Sequence, residues 1–338
     1  MNSLERVLAA LHGTPQTRPP FTLTLSLYGA KLTKCPLLEH YRLPERYAEG
    51  QVAVVDLCSP DIIFSPFALT LEAEAFGSEL QFLPTNPPNV RKPAVRSPEE
   101  FPLHSIPDVD SHPSLIYLRE SVGLLSRKYS GEIPICGILT APVDLPAIIM
   151  GVDSWIETLV LKPELAQKIL EATGQHFAAM ANALLAEGAA FIALPVMFTH
   201  PSLLYQKLID ELIIPALAHS FKEVKGPIVF HHGGNPIIPT LKDYLELPNV
   251  VAFALDHRDS LAEARTIIGP GRLLLGNLNG PTMSKLPPES ILAKVRSILE
   301  DRAGDPNYIF ATSAADVPWD TPPELVKAIA ATITSFGN

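Results

Sequence analysis

The stretch PIVFHHGGNPIIPTLKDYLELPNVVAFALDHRDSLAEARTIIGPGRLLLGNLNG (227–280) decides the fold. It holds three short apolar runs, PIVFHHGG (227–234), VVAFALDH (250–257) and RLLLGNLNG (272–280), each bounded by turn-forming residues. Between the second and third lies SLAEARTII, whose apolar residues recur at helical spacing. Runs that are apolar along their whole course, not at alternate positions, read as strands buried on both faces. A helix joining two such strands makes them parallel neighbours with a right-handed crossover.

Working outward, the same unit repeats. FTLTLSLYG (21–29), DIIFSPF (61–67), PICGILTAPV (134–143) and AAFIALPVMF (189–198) precede the stretch, and YIFATSAADV (308–317) follows it. Amphipathic helical segments separate most of these runs, among them PELAQKILEATGQHFAAMANALLAEG, SLLYQKLIDELIIPALAHSFKEV and PPESILAKVRSILEDR. Eight alternating units predict an α/β fold, a (β/α)8 barrel occupying 1–338 as one domain. SLERVLAALHG at the start predicts a further helix, capped by Asn2 or Ser3 with Glu5 in reach and stopped at Gly13. Only 68–133 breaks the rhythm, between the second and third strands. Its prolines and charges predict a lid-like excursion with a small hairpin. An open doubly wound sheet is the alternative, but no glycine-rich phosphate loop follows an early strand.

Composition narrows the function. The chain has 338 residues, 47% hydrophobic and 18% charged, with ample apolar surface for a core. A net charge of −10 opposes binding to nucleic acid. No run approaches the roughly 20 apolar residues that span a bilayer, and the first residues lack a secretory core, so a cytoplasmic protein without a membrane partner is expected. Cys35, Cys58 and Cys136 are odd in number and far apart, which fits reduced thiols.

In a barrel the carboxyl ends of the strands face one basin, so polar residues ending apolar runs are the candidates for function. The fifth run ends in His231 and His232, followed by Asn235; the sixth in Asp256 and His257; the seventh in Asn277 and Asn279; the eighth in Ser313 and Asp316. The first, third and fourth add Tyr28, Thr140, Thr199 and His200. The expected catalytic set is His231, Asp256 and Asp316, with Tyr28, Thr140, His200, His232, Asn235, His257, Asn277 and Asn279 around the substrate. Neighbouring strand residues face opposite ways, so only one of the paired histidines looks into the barrel. Each candidate has a plain alternative. A buried histidine can be bonded to a backbone carbonyl, Asp259 or Asp256 can cap the next helix, and the asparagines can form turns.

In order along the chain, SLERVLAALHG with a following RPP, IIFSPFALTLEAEAFGSEL, FHHGGNP, ALDHRDSLAEAR, LLLGNLNGP and DVPWDTPPELVKA resemble the uroporphyrinogen-decarboxylase superfamily. The likeness covers nearly the whole chain and is closer to the branch of corrinoid-dependent methyltransferases, the methyl-corrinoid:coenzyme M type. That resemblance implies methyl transfer between a small methylated or methyl-accepting substrate and cobalamin carried by a separate corrinoid protein.

It also implies a zinc site, built in the branch from a His-x-Cys-Gly motif, an acidic residue, and a Gly-Cys-Asp segment. Here His231 matches the histidine and Asp256 the acidic position, whereas Gly233 and Ala315 stand where the cysteines belong. A zinc site rebuilt from His231, Asp256 and Asp316, helped by His232, is one expectation; a metal-free pocket is the other. Uroporphyrinogen decarboxylase activity is not expected, because TLSLYGAKLTK carries no substrate-clamping arginine and Pro66 falls at the catalytic aspartate. A lyase acting on a small carboxylate, and a barrel that binds a ligand without catalysis, are the rival readings.

Overall fold

A computed structural model describes residues 1–231 and 233–337. Eight parallel strands form a nearly closed barrel, in the order β1 (Phe21–Thr22), β10 (Tyr308–Ser313), β9 (Leu273–Asn279), β8 (Val250–Ala254), β7 (Ile228–His231), β6 (Phe191–Pro195), β5 (Ile135–Ile138) and β2 (Ile63–Phe64). Each strand falls within one of the eight predicted runs, and helices follow them around the outside. The remaining pair, β3 (Glu79–Gln81) and β4 (Asn89–Lys92), is an antiparallel hairpin inside the 68–133 segment, as the sequence predicts.

Alternation along the strands builds two cores. In β7, Ile228 and Phe230 pack outward under the helices while Val229 and His231 turn inward; in β10, Phe310 packs outward while Ile309 and Ala311 turn inward. Small and medium side chains such as Cys136, Ile138, Ala252 and Leu275 fill the barrel interior. The amino-terminal helix Ser3–Leu11 joins this core through Val7 and Ala10. Its predicted cap is present: the Asn2 side chain accepts from the Glu5 N–H at 2.8 Å, and Glu5 accepts from the Asn2 N–H at 2.8 Å.

The first two runs form far shorter strands than their composition predicts, two residues each. Side chains take over where the ladder stops. Thr312 Oγ1 accepts from the Thr24 N–H at 2.8 Å, and Asp316 Oδ1 accepts from the Ser26 N–H at 2.9 Å. The seam between β1 and β2 is stitched the same way. Asp61 N–H donates to the Phe21 carbonyl at 2.8 Å, Thr22 Oγ1 donates to the Ile62 carbonyl at 2.9 Å, and Phe67 N–H donates to Ser26 Oγ at 2.8 Å. Tyr28, read as the end of the first strand, instead opens the helix Tyr28–Thr33. No helix among the described residues is long and apolar enough to cross a membrane.

Candidate active site

Two adjoining cavities occupy the carboxyl end of the barrel, and Phe67 lines both. The inner one, about 60 Å³, lies within the strands and is lined mainly by apolar side chains, with Thr22, Thr24, Thr312 and His231 as its polar members. The outer one, about 630 Å³, is walled by Leu27, Phe67, Asp316, Trp319 and Asp320, and by the hairpin connection at Thr85–Pro88. The excursion thus contributes directly to the mouth.

His231 ends β7 and faces the inner cavity, as strand alternation requires; His232 lies outside the described residues. Its Nδ1 accepts from the Gly233 N–H at 3.0 Å. Burial lowers its pKa to about 4, with Asp256 opposing. The ring is therefore neutral at pH 7 and carries its proton on Nε2, the tautomer left by that hydrogen bond.

Asp256 is fully buried beside the sixth strand's end, and its Oδ1 accepts from the Arg258 N–H at 3.0 Å and Nε at 2.6 Å. Burial opposes its charge, but those bonds and nearby His257 hold its pKa below the ordinary carboxylate value. His257 Nδ1 lies 3.3 Å from Asp256 Oδ1. Asp316 belongs to the outer cavity. Its Oδ1 accepts from the Ser26 and Leu27 N–H groups at 2.9 and 3.4 Å, yet burial outweighs them and pushes its pKa up to about 8.

The other candidates divide. Asn235 Nδ2 donates to the Met197 carbonyl at 3.3 Å and Asn279 ends β9 half-buried; neither lines a cavity. His200 is bound to the Pro236 carbonyl at 3.1 Å and to Ser202 at 3.2 Å, and Asn277 donates to the Asp256 and Asp259 carbonyls at 2.9 Å each. Both hold loops. Thr140 donates to the Leu69 carbonyl at 3.2 Å and Tyr28 to the Thr321 carbonyl at 2.5 Å; neither lines a cavity. Asp259 does not cap the helix that follows it. Ser260 takes that role, accepting from the Glu263 N–H at 3.2 Å, while Asp259 accepts from the Ile237 and Ile238 N–H groups. Sequence reasoning passed over Phe67, Trp319 and Asp144, although the VDLP and VPWD turns after two of the runs were a visible signal.

The described residues, which do not include His232, do not by themselves fit the zinc implied by the resemblance. Among the described residues no group of three His, Cys, Asp or Glu is placed to hold one ion. His231 Nδ1 receives an N–H, whereas a histidine that ligates through Nε2 donates from Nδ1 to an acceptor. Nor is Gly233 a simple deletion of a cysteine side chain. Its φ is +64°, and a Cβ there would lie 2.0 Å from the Val196 carbonyl oxygen. Gly233→Ala is expected to cost about 2 kcal/mol, since backbone must shift as well as strain. Equilibrium unfolding of the variant checks this; unchanged stability would mean that the turn relaxes freely.

An eight-stranded parallel barrel with cavities at its carboxyl end defines the class, an enzyme-type (β/α)8 fold. Within that class the chain belongs to the uroporphyrinogen decarboxylase (URO-D) family, whose model matches residues 2–336. It is 26% identical over 337 residues to a uroporphyrinogen decarboxylase of Geobacter metallireducens, covering 94% of this chain and 95% of that one. It is 25% identical over 339 residues to a methylcobamide:CoM methyltransferase of Methanosarcina barkeri, covering 96% of each. In fold it matches a methyltransferase from Methanosarcina mazei with a TM-score of 0.85, at 23% identity and 99% coverage of both chains. The decarboxylase and methyltransferase relatives are thus similar to it to nearly the same degree.

Proposed function

We propose that this chain is a methyltransferase that moves a methyl group between a small substrate and a separate corrinoid protein docked over the barrel mouth. The observation that carries this reading is the character of the two cavities. Among the described residues that line them there is no arginine or lysine, while Asp316 and Asp320 border the outer one. A polycarboxylate tetrapyrrole needs cationic partners to leave water, and this mouth would repel it. A small, largely apolar methyl donor or acceptor meets no such penalty. The methyltransferase relative, described as acting on methylcobamide, supports the same direction.

A bound corrinoid supplies a cobalt that gives or takes a methyl group. The chain's own part is to orient and to exclude water. Phe67 and the hairpin turn wall the substrate, and His231 presents a neutral N–H donor at the inner cavity. Such a donor keeps its proton across the physiological range, so its role is orientation rather than acid–base exchange. Asp256, held by Arg258, gives the neighbouring loop its shape.

The test follows the absorbance of a methylated corrinoid protein mixed with the purified chain and candidate methyl acceptors, and of the reduced corrinoid with methyl donors. Transfer is expected in at least one direction, falling about tenfold or more in His231→Ala, with no inflection in rate near pH 6.5. Absence of exchange in both directions would remove the reading.

A further inference from the structure

The outer cavity combines three properties that point to one ligand class. Its apolar walls include two aromatic side chains, Phe67 and Trp319, and a proline rim at Pro87, Pro88, Pro281 and Pro318. Its acidic members among the described residues are Asp320, which is exposed and carries charge, and Asp316, which burial keeps protonated up to about pH 8. A cation at this edge, Lys31, is committed elsewhere: its Nζ donates to the Thr321 carbonyl at 2.6 Å and sits 4.8 Å from the centre of the Tyr28 ring. Lys31 is influenced by Asp320 and by Glu324, so this edge of the mouth stays acidic.

Aromatic faces beside carboxylates attract a bulky, weakly hydrated cation, because ring quadrupole and charge act together where water is thin. A compact, strongly hydrated cation gains less there. Transfer chemistry narrows the choice. A methyl group leaving an alkoxide or thiolate needs a Lewis acid or a proton donor, and among the described residues no donor set fits zinc. Asp316 does not supply the proton either, because its free oxygen Oδ2 is shut away from solvent. A quaternary ammonium needs neither. Its C–N bond breaks with the electron pair staying on nitrogen, the amine departs neutral, and the methyl carbon is bonded by the electron pair of the reduced corrinoid nucleophile.

We propose that the cavity between Phe67, Trp319 and the Thr85–Pro88 turn binds a methylated ammonium ion, the methyl donor of the transfer proposed above, on whose reading this assignment rests. The volume, about 630 Å³, is several times that of choline, so it admits a methylated ammonium ion bearing a much larger substituent. Trp319 and Phe67 supply the faces, and the exposed Asp320 supplies the charge.

The chain carries its own reporter. Of its two tryptophans, Trp155 is fully buried with Nε1 bonded to the Val143 carbonyl at 2.9 Å, whereas Trp319 lines the cavity. Choline, its uncharged isostere 3,3-dimethylbutanol and the anionic isostere 3,3-dimethylbutanoate are titrated against the full-length protein by tryptophan fluorescence and calorimetry. Choline is expected to bind about tenfold more tightly than the alcohol, and the carboxylate to be excluded. Trp319→Phe should abolish the fluorescence change, and Trp319→Leu should weaken choline about tenfold by calorimetry. The exposed Asp320→Asn, which removes no packing, should weaken choline about threefold and leave the alcohol unaffected. Equal affinity for the alcohol and choline, or no saturable binding of choline, overturns the assignment. The two proposals separate cleanly. Choline bound without methyl reaching the corrinoid defeats the transfer reading, whereas transfer from an uncharged donor without choline binding defeats this one.

Discussion

Asp316→Asn is expected to make the protein more stable, and by more at pH 8 than at pH 5. In the unfolded chain an aspartate releases its proton near pH 3.9. In the fold, burial delays release until about pH 8, even though Oδ1 receives two backbone N–H groups. Between those values the folded chain holds a proton that the unfolded chain has lost, so stability falls as pH rises, by at most about 1.4 kcal/mol per unit. Above about pH 8 both states are ionised and the loss is complete.

An asparagine keeps an oxygen for the Ser26 and Leu27 N–H groups and never ionises. The cost of burying the amide is the same at every pH, so the variant's stability relative to the parent should rise between pH 4 and pH 8 by an amount approaching about 5 kcal/mol. Urea unfolding of both proteins across this range measures it. A gain that does not change with pH would show that Asp316 is as easily ionised in the fold as out of it. Only above about pH 8, where Asp316 ionises, should the same variant raise KM for a cationic methyl donor. A residue that costs stability where it borders a cavity fits the usual trade between fold and function.

The barrel was legible because double-sided burial leaves a local mark. VVAFA and LLLGNLN are apolar throughout, and no distant residue is needed to read them as buried strands. Strand length was less legible. FTLTLSLYG has the composition of a long strand, but whether Thr24, Ser26 and Leu27 pair with a neighbouring backbone depends on Thr312 and Asp316, nearly 290 positions away.

The site divides along the same line. The inward turn of His231 follows from alternation alone, whereas the outer cavity is assembled from the first, second, seventh and eighth units and a hairpin connection that no periodicity marks. Asp259 shows the limit of local rules. Its sequence position suits a cap for the helix beginning at Leu261, but Ser260 is better placed, and Asp259 is drawn to the free N–H groups of Ile237 and Ile238. Gly233 reads in the sequence as an absent thiol. Only the packing against the Val196 carbonyl shows that the backbone itself occupies the space.

Asp144→Ala should be among the most damaging single changes in the chain, costing about 4 kcal/mol. Asp144 is fully buried in the VDLP turn after β5, and reaches across to the loop leaving β6. Its carboxylate accepts from the backbone N–H groups of Met197, Phe198 and Thr199 and from Thr199 Oγ1 at 2.8 Å. Burial nonetheless raises its pKa to about 6, with those four bonds opposing, so it is ionised at pH 7.

Truncation leaves several donors without an acceptor, each costing about 1–3 kcal/mol where water cannot reach. Thr199 is fully buried, while Met197 and Phe198 are only partly so, which places the sum for the four donors near its low end, at about 4 kcal/mol. Asp144→Asn should cost about half as much, because one oxygen remains and the amide nitrogen must face a donor. The damage should spread to the site, since the anchored loop carries the Val196 carbonyl under Gly233 and the Met197 carbonyl that receives Asn235. Amide hydrogen exchange across 196–200 and 233–236 is the discriminating measurement. Both segments should lose protection together in Asp144→Ala, and protection lost at 196–200 alone would show that the two loops are held independently.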